Sequence, residues 1–326
     1  MSKVPVLVTG GAGYIGSHAV LALIDAGYPV AVIDNLTTGF RFAVPEGVAF
    51  YEGDIEDGDL LARIFAEQGI RAVMHFAGSI IVPESVENPL KYYHNNTAKS
   101  RALIASAVAA GVPHFIFSST AATYGIPEVS PVTEDSPKRP INPYGVSKLA
   151  AQNLVKVYRE RHGLPAVCGI MFNHESPRRG LEFVTRKVTD AVARIKLGKA
   201  RELRLGNLDA RRDWGFAGDY VEAIWRMLQQ DTPDDFVIGT GKTWTVRQLC
   251  EEAFSYVGLD YQEFVTLDPK FMRPAEVDLL VADPSKAMQG LGWEPRVDFH
   301  GLVRMMVDEP MEIRSEEHTS ELQSHH

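Results

Sequence analysis

The chain has 326 residues, 45% hydrophobic and 23% charged, enough to bury the core of one large α/β unit or of a domain with a smaller partner. A net charge of −9 leaves no broad basic face and argues against nucleic acid as a partner. Cys168 and Cys250 have neither metal-ligand nor redox spacing and read as reduced core residues, so no metal site is expected. With no charged-then-apolar leader and no apolar run of membrane length, the expectation is a cytoplasmic protein that does not enter a membrane.

Residues 4–8 read as a short apolar strand, after which TGGAGYIG turns into a helix that stops at Gly27. PVAVIDN, VAFYEGD (48–54) and AVMHFAG (72–78) read as further strands, with DGDLLARIFAEQG as a helix between the last two. Residues 89–111 read as one long helix, HFIFSST as a strand, and 143–162 as a helix opened by Pro143. Strands alternating with helices of this length predict a Rossmann-type doubly wound parallel sheet. Beyond about residue 170 the alternation weakens, with helical patterns at 183–198, 218–229 and 245–257 among short strands. The expected organisation is a first α/β domain over 1–170, a smaller α/β lobe over 171–311, and a tail over 312–326. That tail lacks periodicity and is expected to stay outside the fold; residues 314–326 resemble a translated sequencing adapter.

Gly10, Gly13 and Gly16 carry G-x-x-G-x-x-G spacing between strand and helix, where a pyrophosphate can approach the backbone and the helix N-terminus. Asp34, ending the second strand, would accept from the adenosine ribose hydroxyls and repel a 2′-phosphate, which favours NAD over NADP. Tyr14 and Ile15 in the turn, Asn35 beside Asp34, Asp54 and Ile55 after the third strand, and Phe76 and Ala77 after the fourth complete the expected cofactor contacts. Asp54 is equally readable as a helix cap.

Tyr144 and Lys148 stand at i, i+4 on one helix face. An ammonium and a nicotinamide ring near the phenol would lower its pKa enough for it to act as a base, and Thr120 can hydrogen-bond the hydroxyl being oxidised. The catalytic set is therefore Thr120, Tyr144 and Lys148, the last two also expected to touch NAD.

VLVTGGAGYIGSH, VIDNLTTG, YEGDI, HFAGS, PESVENPLKYYHNN, HFIFSSTAATYG and TEDSPKRPINPYGVSK, within residues 4–150, resemble the extended short-chain dehydrogenase/reductases, specifically UDP-glucose 4-epimerases. That resemblance implies oxidation of the sugar at C4 by NAD, rotation of the keto-sugar, and return of hydride to the other face. Residues 158–308, with FNHESPRRG, FVTRKV, LGNLDARRDWGFAGDYVEA and RPAEVDLLVADPSKAMQGLGW, instead resemble GDP-mannose 4,6-dehydratases, so the chain reads as a hybrid. In this lobe Arg212 and Arg273 can grip a diphosphate, Glu276 can accept from a ribose hydroxyl, and Asn173 can hold the sugar diphosphate. The resemblance also implies that Arg178 and Arg179 reach a neighbouring subunit, and that the protein is a homo-oligomer, dimer or tetramer.

In the dehydratases a glutamate stands at the position of Ala122, removing the C5 proton and protonating the departing C6 oxygen. Alanine has no proton to offer. The expected activity is therefore that of an NAD-dependent nucleotide-sugar 4-epimerase, an isomerase. The alternatives are GDP-mannose 4,6-dehydratase activity and an idle NAD- or nucleotide-sugar-binding protein.

Overall fold

Val6–Thr9 (β1) is buried at every position, as a strand in the middle of a covered parallel sheet must be. The computed structural model describes residues 3–271, 277 and 279–324, from 313 onward as backbone alone. After β1 come β2 (Val30–Asp34), β3 (Ala49–Glu52), β4 (Ala72–His75), β5 (His114–Thr120) and β6 (Ala166–Met171). Shorter strands follow: β7 (Asn173–Glu175), β8 (Leu203–Leu205), β9 (Arg211–Arg212), β10 (Trp214–Phe216), β11 (Phe236–Ile238), β12 (Trp244–Thr245) and β13 (Val265–Leu267). Seven strands pair in parallel in the order β3–β2–β1–β4–β5–β6–β11, the doubly wound sheet expected. The strand order reverses between β1 and β4, and ligands of such sheets bind in the crevice that this reversal opens.

One face is covered by α1 (Tyr14–Asp25), whose Val20 and Leu23 share a core with Val6, Val8 and Val32. The other carries α2 (Gly58–Gln68), α5 (Lys99–Ala109) and α6 (Pro143–Arg161), which bury Leu61, Ile64, Leu103, Ile104, Ala151 and Val155 against Leu7, Ile33 and Phe115. Between α2 and α5 lie the short α3 (Val82–Glu87) and α4 (Pro89–Tyr92).

The smaller lobe has its own core, in which Val188 and Val192 of α7 (Val184–Lys196) meet Leu249 and Phe254 of α9 (Val246–Tyr256). Leu302, Val303 and Met306 of α11 (Phe299–Ser324) complete it. The lobes are not sequential halves. Tyr220, Ile224 and Met227 of α8 (Ala217–Met227), with β11 and α10 (Ser285–Leu291), pack back onto the sheet. The backbone of α11 stays helical to Ser324, so the segment expected to lie outside the fold extends a helix. A helix already seeded by packed residues adds one hydrogen bond per further residue. No helix among the described residues is long and apolar enough to cross a membrane.

The helix expected over 89–111 is interrupted. Residues Tyr93–Ala98 form a π turn between α4 and α5. Within it Asn96 accepts from Ser79 N (2.7 Å) and donates to Ser79 O (3.0 Å) and Ser147 Oγ (3.0 Å). A hydrophobic pattern carries no sign of that demand, and π turns of this kind gather at functional sites.

Candidate active site

At the crevice, Gly10 adopts φ +70°, and a Cβ there would stand 2.7 Å from Ala77 N. A Cβ on Gly16 would fall 2.1 Å from Gly10 O, so only glycine lets α1 start this close to β1. Gly13 takes the N-cap position, with Tyr14 and Ile15 opening the helix. Asp34, 8% exposed, accepts from Ala12 N (2.9 Å) and Leu36 N (2.8 Å), which fixes its carboxylate beside the glycine-rich turn. Phe76 N donates to Thr9 O, placing Phe76 and Ala77 opposite Gly10.

Asp54 is not a cap of α2, because Asp57 caps it by accepting from Leu60 N. Asp54 accepts from Asn35 Nδ2 (3.0 Å) and pairs with Lys99 (2.5 Å). Ile55 is buried in the sheet core with Leu61 and Ile64. His75, readable as a satisfied core residue, bonds Thr9 Oγ1 and Ser100 Oγ, each at 2.7 Å. Burial and then the charge of Lys148 lower its pKa to about 3, so it stays neutral.

Thr120 ends β5, and its side chain caps the turn Ala121–Thr123 by accepting from Ala122 N (3.2 Å). Asn142 caps α6 by accepting from Gly145 N (2.8 Å), after which Pro143 fits the first turn. Helix and turn pack so tightly that a Cβ on Gly145 would stand 2.6 Å from Ala122 O. That contact brings the first turn of α6, which carries Tyr144, against the turn that follows Thr120. Burial raises the Tyr144 pKa, while Thr120 and Arg179 lower it. The lowering expected from Lys148 is not among these effects.

Lys148, 6% exposed, lies over the Phe117 ring at 4.5 Å and donates to no acceptor among the described residues. Burial lowers its pKa to about 8 from 10.5. The folded state therefore binds fewer protons than the unfolded chain between these values, and stability rises with pH across that window. Relative to Lys148→Met, the cofactor-free protein should gain roughly 3 kcal/mol between pH 8 and 10.5, read from urea melts. An unchanged difference would place the ammonium in water.

Residues 173–179 cross from the smaller lobe to α1. Tyr14 donates to His174 O (3.1 Å), His18 bonds Ser176 Oγ (2.9 Å), and Arg178 donates to Ser17 Oγ (3.2 Å). Arg179 is held within its own chain. It pairs with the buried Glu175 (3.1 Å) and stacks on Tyr14 (4.8 Å) and Phe183 (3.4 Å). A buried carboxylate needs a cation, and Glu175 draws the guanidinium in. Sequence spacing gave no sign of this ion pair.

Asn173 lies on β7 in register with Trp214, and Arg212 on β9 donates to Val277 O (2.7 Å). Trp214 is buried and stacks on Phe299 in the lobe core. Arg273 and Glu276 lie outside the described residues.

The family described as GDP-mannose 4,6 dehydratase matches residues 7–306. The chain belongs to this family. GDP-mannose 4,6 dehydratase 1 of Arabidopsis thaliana is 40% identical over 331 residues, covering 95% of this chain and 91% of the relative. The GDP-mannose 4,6-dehydratase of Vibrio cholerae is 34% identical over 365 residues, covering 99% and 98%. Among solved structures, the UDP-glucose 4-epimerase of Thermotoga maritima, with UDP-glucose, superposes with TM-score 0.86 at 31% identity, covering 95% of this chain and 99% of its own. The Thermus thermophilus epimerase in complex with NAD gives 0.85 at 33%, covering 94% and 98%.

The dehydratase match runs through both halves, so the likeness is not confined to residues 158–308. It also reverses the preference for an epimerase drawn from Ala122. The Thr-Tyr-Lys set and glycine-rich turn expected from the sequence would suit C4 oxidation in either reaction, so the first half alone does not separate the two families. The chain is an enzyme of the NAD-dependent epimerase/dehydratase group acting on nucleotide sugars.

Proposed function

We propose that this protein acts on GDP-mannose as a 4,6-dehydratase, with Thr120, Tyr144 and Lys148 driving oxidation at C4 and elimination as the slow half. The observation that carries this reading is the family match across both lobes, including the lobe expected to hold the nucleotide. The residues of the crevice fit NAD: the glycine-rich turn leaves room for a pyrophosphate, Asp34 is set for ribose hydroxyls, and the Lys148 ammonium has no acceptor among the described residues. NAD, when bound, supplies the ring that takes up hydride from C4. Thr120 and Tyr144 hold the sugar O4, and Tyr144 removes its proton. Lys148 orients the ribose and favours the phenolate.

Elimination requires loss of the C5 proton and of the C6 hydroxyl as water. Among the described residues no carboxylate acts on Tyr144, and position 122 holds alanine. Lacking a placed acid–base, this step is slower by about 10²–10⁴. Ala122 thus favours a second reading, reversible C4 oxidation leading to the 4-epimer, which the epimerase-like structures also support. Incubation with NAD and GDP-mannose, followed by mass spectrometry, tests the two. Dehydration gives a product lighter by one water; a product of unchanged mass with inverted C4 would select epimerisation.

Asp34 carries the cofactor preference. Asp34→Ser should lower the ratio of NADP to NAD dissociation constants by about tenfold or more, by removing repulsion of the 2′-phosphate. Fluorescence titration reads it, and an unchanged ratio would remove Asp34 from cofactor selection.

A further inference from the structure

Asp213, the residue after Arg212, is 1% exposed and ringed by donors. Its Oδ1 accepts from Thr240 N (2.8 Å) and Thr240 Oγ1 (2.6 Å), its Oδ2 from Gly241 N (3.0 Å) and Ala282 N (3.2 Å). These groups come from three separate stretches: the β9–β10 junction, the turn after β11, and the segment leading into α10. The stretches meet closely, since a Cβ on Gly239 would stand 2.3 Å from that of Ala282. Arg212 in turn donates to Val277 O, five residues before Ala282. One carboxylate therefore ties the strand that bears Arg212 to the segment that Arg212 grips.

Resting on the GDP-sugar reading, we propose that Asp213 is a positioning residue for the nucleotide diphosphate, holding Arg212 in the register with Val277 and Ala282 that places the guanidinium on the phosphates. It touches no reacting atom. Its effect passes through Arg212, so it should govern affinity for the nucleotide and leave the chemistry at Tyr144 intact.

Asp213→Asn preserves size but turns an amide NH₂ toward backbone N–H groups, so one side of the tie is lost. On the NAD-loaded full chain, the Kd for GDP by calorimetry should rise about tenfold or more. kcat should stay within about threefold and NAD affinity should not change, a split that general loss of fold would not produce. Thr240→Val removes only the hydroxyl donor and should weaken GDP by roughly threefold to tenfold. If Asp213→Asn retains wild-type GDP affinity, or loses kcat and NAD affinity in step with it, the inference fails. Should that variant not fold, unchanged GDP affinity in Thr240→Val overturns it equally. UDP titrated in parallel separates the two readings: a wild type preferring UDP would sink the guanine reading, and the same loss must then appear for UDP.

Discussion

Ala122→Glu should raise formation of the 4-keto-6-deoxy sugar from GDP-mannose by about 10²–10⁴, the usual worth of a placed general acid–base. Position 122 is the half-buried middle residue of the turn Ala121–Thr123, which packs against the first turn of α6 beside Gly145. A carboxyl carried on this turn can meet C5 and C6 while Thr120 and Tyr144 hold O4. Ala122→Gln supplies the same length without a proton to give and should leave the rate near wild type. Single-turnover product analysis of the three proteins reads the result. Equal rates in all three would mean that elimination does not wait for an acid at this position.

Tyr144→Phe should reduce kcat by about 10²–10⁴ with little change in affinity for GDP or NAD. The ring remains, so its edge-to-face packing on Tyr92 (6.4 Å, 86°) survives and folding should be close to wild type. What is lost is the oxygen proposed to take the O4 proton. Steady-state kinetics with calorimetry check it. Loss of binding in place of turnover would make Tyr144 a ligand contact rather than the base.

The sheet was legible in the sequence because a strand buried on both faces has to be apolar throughout, as Val6–Thr9 and Ala166–Met171 are. The glycine-rich turn and Asp34 were legible for a related reason: close backbone approach admits only glycine, and a strand end aims one acid at the crevice. The π turn at 93–98 was not, since it answers a hydrogen-bond demand from Ser79 and Ser147, remote in sequence. The pairing of Arg179 with Glu175, four residues before it, was not read from the sequence, because nothing in the spacing says that this carboxylate is buried. Asp213 escaped as well, its four donors lying 27 or more residues away. The choice between dehydratase and epimerase turned on one alanine, and a single position weighs less than a likeness extending over residues 7–306.

The most direct measurement uses GDP-mannose carrying deuterium at C4, incubated with the NAD-loaded enzyme and followed by NMR. Hydride removed from C4 and returned after loss of water places the label on C6 of a 4-keto-6-deoxy product, slowly in the wild type and faster in Ala122→Glu. Label exchanged into solvent, or returned to C4 with no water lost, would contradict the account.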